Sequence, residues 1–154
     1  MKKTLLFITL ASLAIMVTFS GCKKEEDDYV PEPLPTATIT GKVWAELDWT
    51  NAVTEYAPSG TKIIAVYNAG DLVDNPVAGY TYKNITVEAT VGSDGTYTLT
   101  IPATGNGVGV QITGVDFEYN TVTTATTTQR TVYSLGTTNT TVIAGMKQII
   151  DLSY

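Results

Sequence analysis

Apolar and polar residues alternate along most of this chain with a period of two. From Ala37 to Leu47, the residues Ala37, Ile39, Val43, Ala45 and Leu47 fall on one side. Thr38, Thr40, Lys42 and Glu46 fall on the other, and Trp44 joins the polar side. Such alternation is what a strand with one buried face requires. Thr61 to Tyr67 is apolar on both parities, which suits a central strand. Thr81 to Val91 places Ile85, Val87, Ala89 and Val91 on one face. Gly92-Ser93-Asp94-Gly95 is a turn signal, and Thr96 to Ile101 follows with Tyr97, Leu99 and Ile101 inward. The two flanking segments are predicted to pair as a hairpin. Val108, Val110 and Ile112 form the next inward set, and Gly114 reads as a bulge or bend before Val115 and Phe117. Thr121 to Leu135 is a threonine-rich segment of one or two pieces. Gly136 to Asn139 reads as a turn, Thr141-Val142-Ile143 as a short strand ended by Ala144-Gly145, and Lys147 to Leu152 as the last strand.

Threonine occupies 25 of the 119 positions from Thr36 to Tyr154, and β-branched residues prefer strands. No stretch in this region combines a 3.6-residue period with helix-forming composition. Seven or eight short strands separated by turns predict an all-β fold, an antiparallel Greek-key β-sandwich.

The N-terminus follows a different pattern. Met1-Lys2-Lys3 is a short basic start, Leu5 to Phe19 is an almost unbroken apolar run, and Ser20, Gly21 and Cys22 follow. This is the layout of a secretory signal, too short to span a hydrocarbon core of about 30 Å comfortably as a helix. No second long apolar run follows. Phe19-Ser20-Gly21-Cys22 resembles the lipobox of bacterial lipoproteins, with Phe19 where leucine is usual. The resemblance implies that Cys22 becomes the first mature residue and carries the lipid, a stable anchor when several acyl chains are attached. Lys23-Lys24-Glu25-Glu26-Asp27-Asp28 resembles the export signal after the lipidated cysteine of Bacteroidetes surface lipoproteins. It also reads as a solvated charged tether. Tyr29 to Pro35 holds three prolines and reads as a semi-rigid spacer. The expected organisation is a signal peptide over residues 1–21, a lipidated and charged tether over 22–35, and one β-sandwich domain over 36–154. The implied location is the outer membrane, facing the cell surface, with a periplasm-facing accessory subunit of an envelope complex as the alternative.

Several segments of the domain resemble the transthyretin-like (prealbumin-like) sandwiches, that is, the carboxypeptidase regulatory-like and Cna-B-type domains. These are Ile39-Thr40-Gly41-Lys42-Val43, Ala57-Pro58-Ser59-Gly60-Thr61-Lys62-Ile63, Ser93 to Pro102 and Ile143-Ala144-Gly145. Asn68 to Gly79 is longer than the usual link of that group, and the threonine-rich stretch after Tyr119 has no counterpart in it. The resemblance implies non-catalytic modules that space, stiffen or bind at cell surfaces. It implies no activity, because fold does not specify function. Some Cna-B members form an internal Lys–Asn isopeptide bond. Lys42 lies in the first strand as such a lysine would, but on the polar parity, and Asn139 precedes the last strand, so Lys42 reads as a surface lysine.

Composition narrows the function classes. The 154 residues include 9 basic and 15 acidic side chains, no histidine and one cysteine. Histidine-dependent triads and imidazole metal sites are therefore excluded, as is an internal disulfide. The net charge of −6 argues against a nucleic-acid partner, which needs basic surface. Neither a phosphate-binding glycine loop nor any other cofactor motif occurs, so no cofactor is expected. The expected partners are the membrane, through the lipid, and a glycan or an envelope protein.

Few residues carry candidate chemistry. Trp44 and Trp49 flank a short loop, with Tyr56 close behind, and exposed aromatics can stack on sugar rings. These three are the candidate ligand contacts, and Tyr80, Tyr82 and Tyr119 are candidates to extend the patch. Asp116-x-Glu118 sets two carboxylates on one strand face about 6.5–7 Å apart, a spacing also used by inverting glycosidases. With no cleft signal nearby, they read as exposed strand-end acids, and no catalytic residue is assigned. Asp71, Asp74 and Asn75 supply oxygen atoms in one loop, but D-x-x-D-N is not a known calcium pattern, and the loop reads as a solvated turn.

Overall fold

The computed structural model describes residues 32–154. The signal segment, Cys22 and the charged block Lys23 to Asp28 lie outside the described residues. Eleven strands follow in chain order among those described. They are β1 (Thr36–Ala45), β2 (Glu55–Tyr56), β3 (Lys62–Asn68), β4 (Asn84–Thr90), β5 (Thr96–Pro102) and β6 (Val108–Gly114). After them come β7 (Phe117–Thr124), β8 (Thr127–Tyr133), β9 (Thr138–Val142), β10 (Lys147–Ile149) and β11 (Leu152–Ser153).

One sheet is built on β1. Along one edge, β5 pairs antiparallel from Thr36↔Pro102 to Lys42↔Thr96, and β2 continues that edge with Trp44↔Tyr56. Along the other edge lie β10 and β11, both parallel to β1. The second sheet has the order β4-β3-β6-β9 and is antiparallel throughout. The alternating residues of both sheets meet in one core. Ala37, Ile39, Val43 and Ala45 of β1 and Tyr97, Leu99 and Ile101 of β5 are buried with Ile63, Ala65 and Tyr67 of β3 and Val108, Val110 and Ile112 of β6. The chain folds as the predicted β-sandwich because each strand has one apolar face to hide, and two such faces hide each other. The threonine-rich segment becomes the β7–β8 hairpin, a separate two-stranded sheet. It is tied to the segment after β1 by Val122 N–H to Leu47 O (3.0 Å) and Trp49 N–H to Val122 O (2.9 Å).

Four expectations are corrected in detail. The strands around Gly92–Gly95 do not pair with each other: β4 belongs to the β3 sheet and β5 to the β1 sheet. The turn is real, since Asp94 Oδ1 accepts from Thr96 N–H at 3.1 Å and Thr96 Oγ1 at 2.7 Å. Gly95 has φ +76°. The chain nevertheless crosses between sheets there, because Val91 N–H stays bonded to Thr61 O (2.9 Å) while Gly95 O takes the Val43 amide (2.9 Å). Thr138 and Asn139 lie in β9 rather than in a turn, held opposite Ile112 and Gln111. The last strand is split in two at Ile150-Asp151. Gly114 ends β6 without a bulge in the pairing of its strand, and the ring of Tyr154 occupies the space a side chain would need there.

The register gives the sandwich two distinct ends. The chain enters at Pro33–Pro35, beside the loop after β5 (Ala103 N–H to Pro35 O, 2.8 Å) and the loop after β9 (Gly145 N–H to Thr36 O, 2.9 Å). The 69–83 segment is at this end too, since Thr104 Oγ1 bonds Asp71 O and Gly109 N–H bonds Asp71 Oδ2. Ten residues of β1 then run about 33 Å to the other end. There the 46–54 loop, β2, the Gly92–Gly95 turn and the root of the β7–β8 hairpin gather.

Candidate functional site

Trp44 faces outward because β1 buries the opposite parity. Tyr56 sits directly across from it on β2, and residues directly opposite on paired strands share a face. Their rings lie 4.6 Å apart between centroids at 37°. Lys42, two residues earlier on β1, projects from the same face. Its Nζ donates to the Tyr56 hydroxyl at 2.8 Å and stands 5.1 Å from the Tyr56 ring centre and 5.6 Å from that of Trp44. These distances are within the cation–π range. The Tyr56 hydroxyl, first through its hydrogen bond and then electrostatically, holds the Lys42 ammonium above its ordinary pKa. Asp151 and Asp94 add smaller contributions in the same direction.

The outer face continues from this cluster as an open depression of about 460 Å³, lined by Thr40, Lys42, Thr96, Thr98, Ile149 and Asp151. Its floor is fixed by the break in the last strand. Ile150 N–H bonds Thr40 O at 2.8 Å, as a parallel ladder should. The next amide, that of Lys42, goes instead to Asp151 Oδ1 at 2.8 Å. The Ile150 carbonyl is thereby freed for the buried Tyr97 hydroxyl, which donates to it at 2.8 Å. Asp151 is thus placed beside Lys42 by backbone pairing from the far end of the chain. Sequence parity puts Lys42 and Trp44 on one face, but nothing local announces Asp151 or the reach of Lys42 to Tyr56.

The three candidate contact residues separate into a pair and a single residue. Trp44 and Tyr56 are together. Trp49 is half exposed in the loop between β1 and β2, with its amide bonded to β7, and is not part of the cluster. Tyr80 and Tyr82 meet edge to face at 4.8 Å in the segment at the chain-entry end, and Tyr119 is on the hairpin, so none of them extends the Trp44 patch.

The other candidates find different partners. Glu118 forms an ion pair with Arg130 across the hairpin, so Asp116-x-Glu118 is not a pair of free carboxylates. Asp71 spends one carboxylate oxygen on the Gly109 amide at 3.0 Å. No group of three or more histidine, cysteine, aspartate or glutamate side chains suited to a metal occurs among the described residues. Lys42 reaches Tyr56 on the outer face of its sheet, and Asn139 is exposed on the other sheet, so the two side chains are not placed to form an isopeptide bond.

No protein-family model matches the chain, and no curated protein sequence matches it. Solved structures similar to it include a protein of Pseudomonas aeruginosa provisionally described as carbohydrate-binding, at 13% identity over 81% of this chain and 92% of that one, with a TM-score of 0.41. The major plantain pollen allergen is similar at 12% identity over 77% and 93% of the two chains, with a TM-score of 0.36. The shaft pilin of Lactobacillus rhamnosus GG is similar at 10% identity over 79% of this chain and 49% of that one, with a TM-score of 0.41. At these identities the likeness concerns fold alone.

Proposed function

We propose that the chain is a non-catalytic β-sandwich module, anchored by a lipid on Cys22 to the outer membrane and displayed at the cell surface. There it binds glycan through the outer face of the β1 sheet. The observation that carries the binding reading is the Trp44–Tyr56 pair with Lys42 above it, on an open face of polar side chains. Tilted aromatic rings give the apolar face of a sugar a surface to rest on, and the lysine gives its hydroxyls a donor. The chain enters the folded unit at one end of β1 and the cluster sits at the other, so the Pro33–Pro35 entry segment does not lie against Trp44. The test pairs two measurements. Protease added to intact cells digests the domain if it is displayed, and Trp44→Ala abolishes retention of the purified protein on polysaccharide gels. Protection until lysis overturns display, and retention by the variant overturns the site.

A second reading is a structural accessory subunit of an envelope complex. It is favoured by β8, which among the described residues pairs with β7 alone and leaves a seven-residue edge to which a strand from another protein could be added. Stable co-purification of one envelope protein, lost on placing proline at Thr131, distinguishes it from glycan binding.

A further inference from the structure

The cluster also specifies which kind of glycan fits it, an inference that rests on the glycan-binding reading above. We propose that the ligand is an uncharged polysaccharide segment, lying on the outer face of β1, β5 and β10 from the Trp44–Tyr56 pair towards Thr40 and Thr98, and not an acidic polymer.

The argument is one of charge and of hydrogen-bonding partners. Among the described residues Lys42 is the one cation lining this depression, and it does not stand alone. Asp151 lines the same depression with its carboxylate on the Lys42 amide, and Asp94 lies in the turn that follows β4. Both carboxylates act on the Lys42 ammonium. One ammonium among two carboxylates offers a uronate or sulfate no net attraction. The domain as a whole, with five basic and ten acidic side chains, adds a repulsive field. The same three groups suit a neutral sugar. An ammonium donates to hydroxyl oxygens, a carboxylate accepts from hydroxyl hydrogens, and threonine hydroxyls do either. Lys42 already uses one of its three N–H donors on Tyr56, which fixes its direction over the rings and leaves two for a ligand. The open form of the depression suits a chain that passes across the face, with no enclosing walls to hold a small molecule.

The experiment uses the mature chain carrying Trp49→Phe, so that Trp44 is the only tryptophan and reports on the site by its fluorescence. It is titrated with dextran, galactomannan and xyloglucan as neutral polymers, and with polygalacturonate and heparin as acidic ones. The expected result is a shift of Trp44 emission with at least one neutral polymer and with neither acidic one. Affinity should be unchanged between about 0.05 and about 0.5 M salt, because no ion pair forms with the ligand. Lys42→Gln should weaken that binding about tenfold, as loss of charge-assisted hydrogen bonds does. Asp151→Asn keeps an oxygen for the Lys42 amide while removing the charge. It should bring weak acidic binding in and weaken neutral binding only in part, because an amide oxygen still accepts from a sugar hydroxyl but less strongly than a carboxylate. Binding of an acidic polymer by the parent protein at this tryptophan, weakened by salt, overturns the neutral-ligand proposal and leaves glycan binding standing. No response to any polymer, with an unchanged melting temperature, overturns glycan binding itself and the proposal with it.

Discussion

The phenol of Tyr97 passes over Gly41 and donates to the carbonyl oxygen of Ile150 at 2.8 Å, so a residue of β5 is bonded to the break between β10 and β11 on the far side of β1. The crossing exists because Gly41, opposite Tyr97 in the register, has no side chain. A Cβ there would overlap the Ile150 carbonyl and press on the Tyr97 ring. Tyr97→Phe leaves the ring in place and orphans one carbonyl. It is expected to cost about 1–3 kcal/mol in urea unfolding. Gly41→Ala should cost at least as much, and it should disturb Asp151 and hence the face proposed to bind glycan. If both variants unfold at the parent's urea midpoint, the crossing contributes nothing.

Alkali should reveal the same tyrosine. Burial, with a smaller effect of Asp151, pushes the Tyr97 phenol up to about 12, and burial with Asp116 does the same for Tyr154. In the unfolded chain both ionise near 10. Between these values the folded state holds more protons than the unfolded state, so stability falls as pH rises. Stability should therefore be flat with respect to these groups below about pH 10 and decline from there towards pH 12. Denaturant midpoints measured across that window check it, and Tyr97→Phe with Tyr154→Phe should flatten the decline.

Gly95→Val is expected to be more damaging than an ordinary turn substitution. Gly95 holds φ +76°, which a β-branched residue adopts only with strain, and an added Cβ would run into the Tyr56 ring. The variant should lose about 2 kcal/mol or more of stability. It should also displace Tyr56 from Trp44, so the near-ultraviolet circular dichroism of the aromatic pair should change. A Gly95→Val protein with the parent's melting temperature would falsify the assigned turn.

Leu99→Ala removes a fully buried side chain from the middle of β5. Loss of transfer energy plus the cavity left behind predicts about 2–5 kcal/mol. Thr98→Ala, at the neighbouring outward position, should change stability by less than about 0.5 kcal/mol. The contrast between the two tests the alternation directly, by equilibrium unfolding of each.

Cys22→Ser should move the protein from the membrane fraction to the soluble fraction without changing its melting temperature, because the folded unit runs from Pro33 to Tyr154. Retention of the variant in membranes overturns the lipid anchor.

Which residues are buried could be read from the sequence wherever a strand has one wet face. Ile39, Val43, Leu99, Val110 and Ile112 are inward in both the pattern and the structure, because alternation reflects only the strand's own pleat. The turn at Gly92–Gly95 was likewise legible, since its side-chain hydrogen bonds span two residues. Trp44 was recognisable as an outward aromatic by parity alone. Pairing was not legible, because a strand's partner is chosen by contacts far away in the chain. The strands on either side of that turn went to different sheets, the last strand lay parallel to β1, and Asp151 came to rest on the amide of Lys42, 109 residues earlier. Local chemistry determined the strands, their faces and the all-β class. Only the tertiary structure decided which outward residues would stand together, because that depends on sheet order and register, which the burial of the two apolar faces settles collectively.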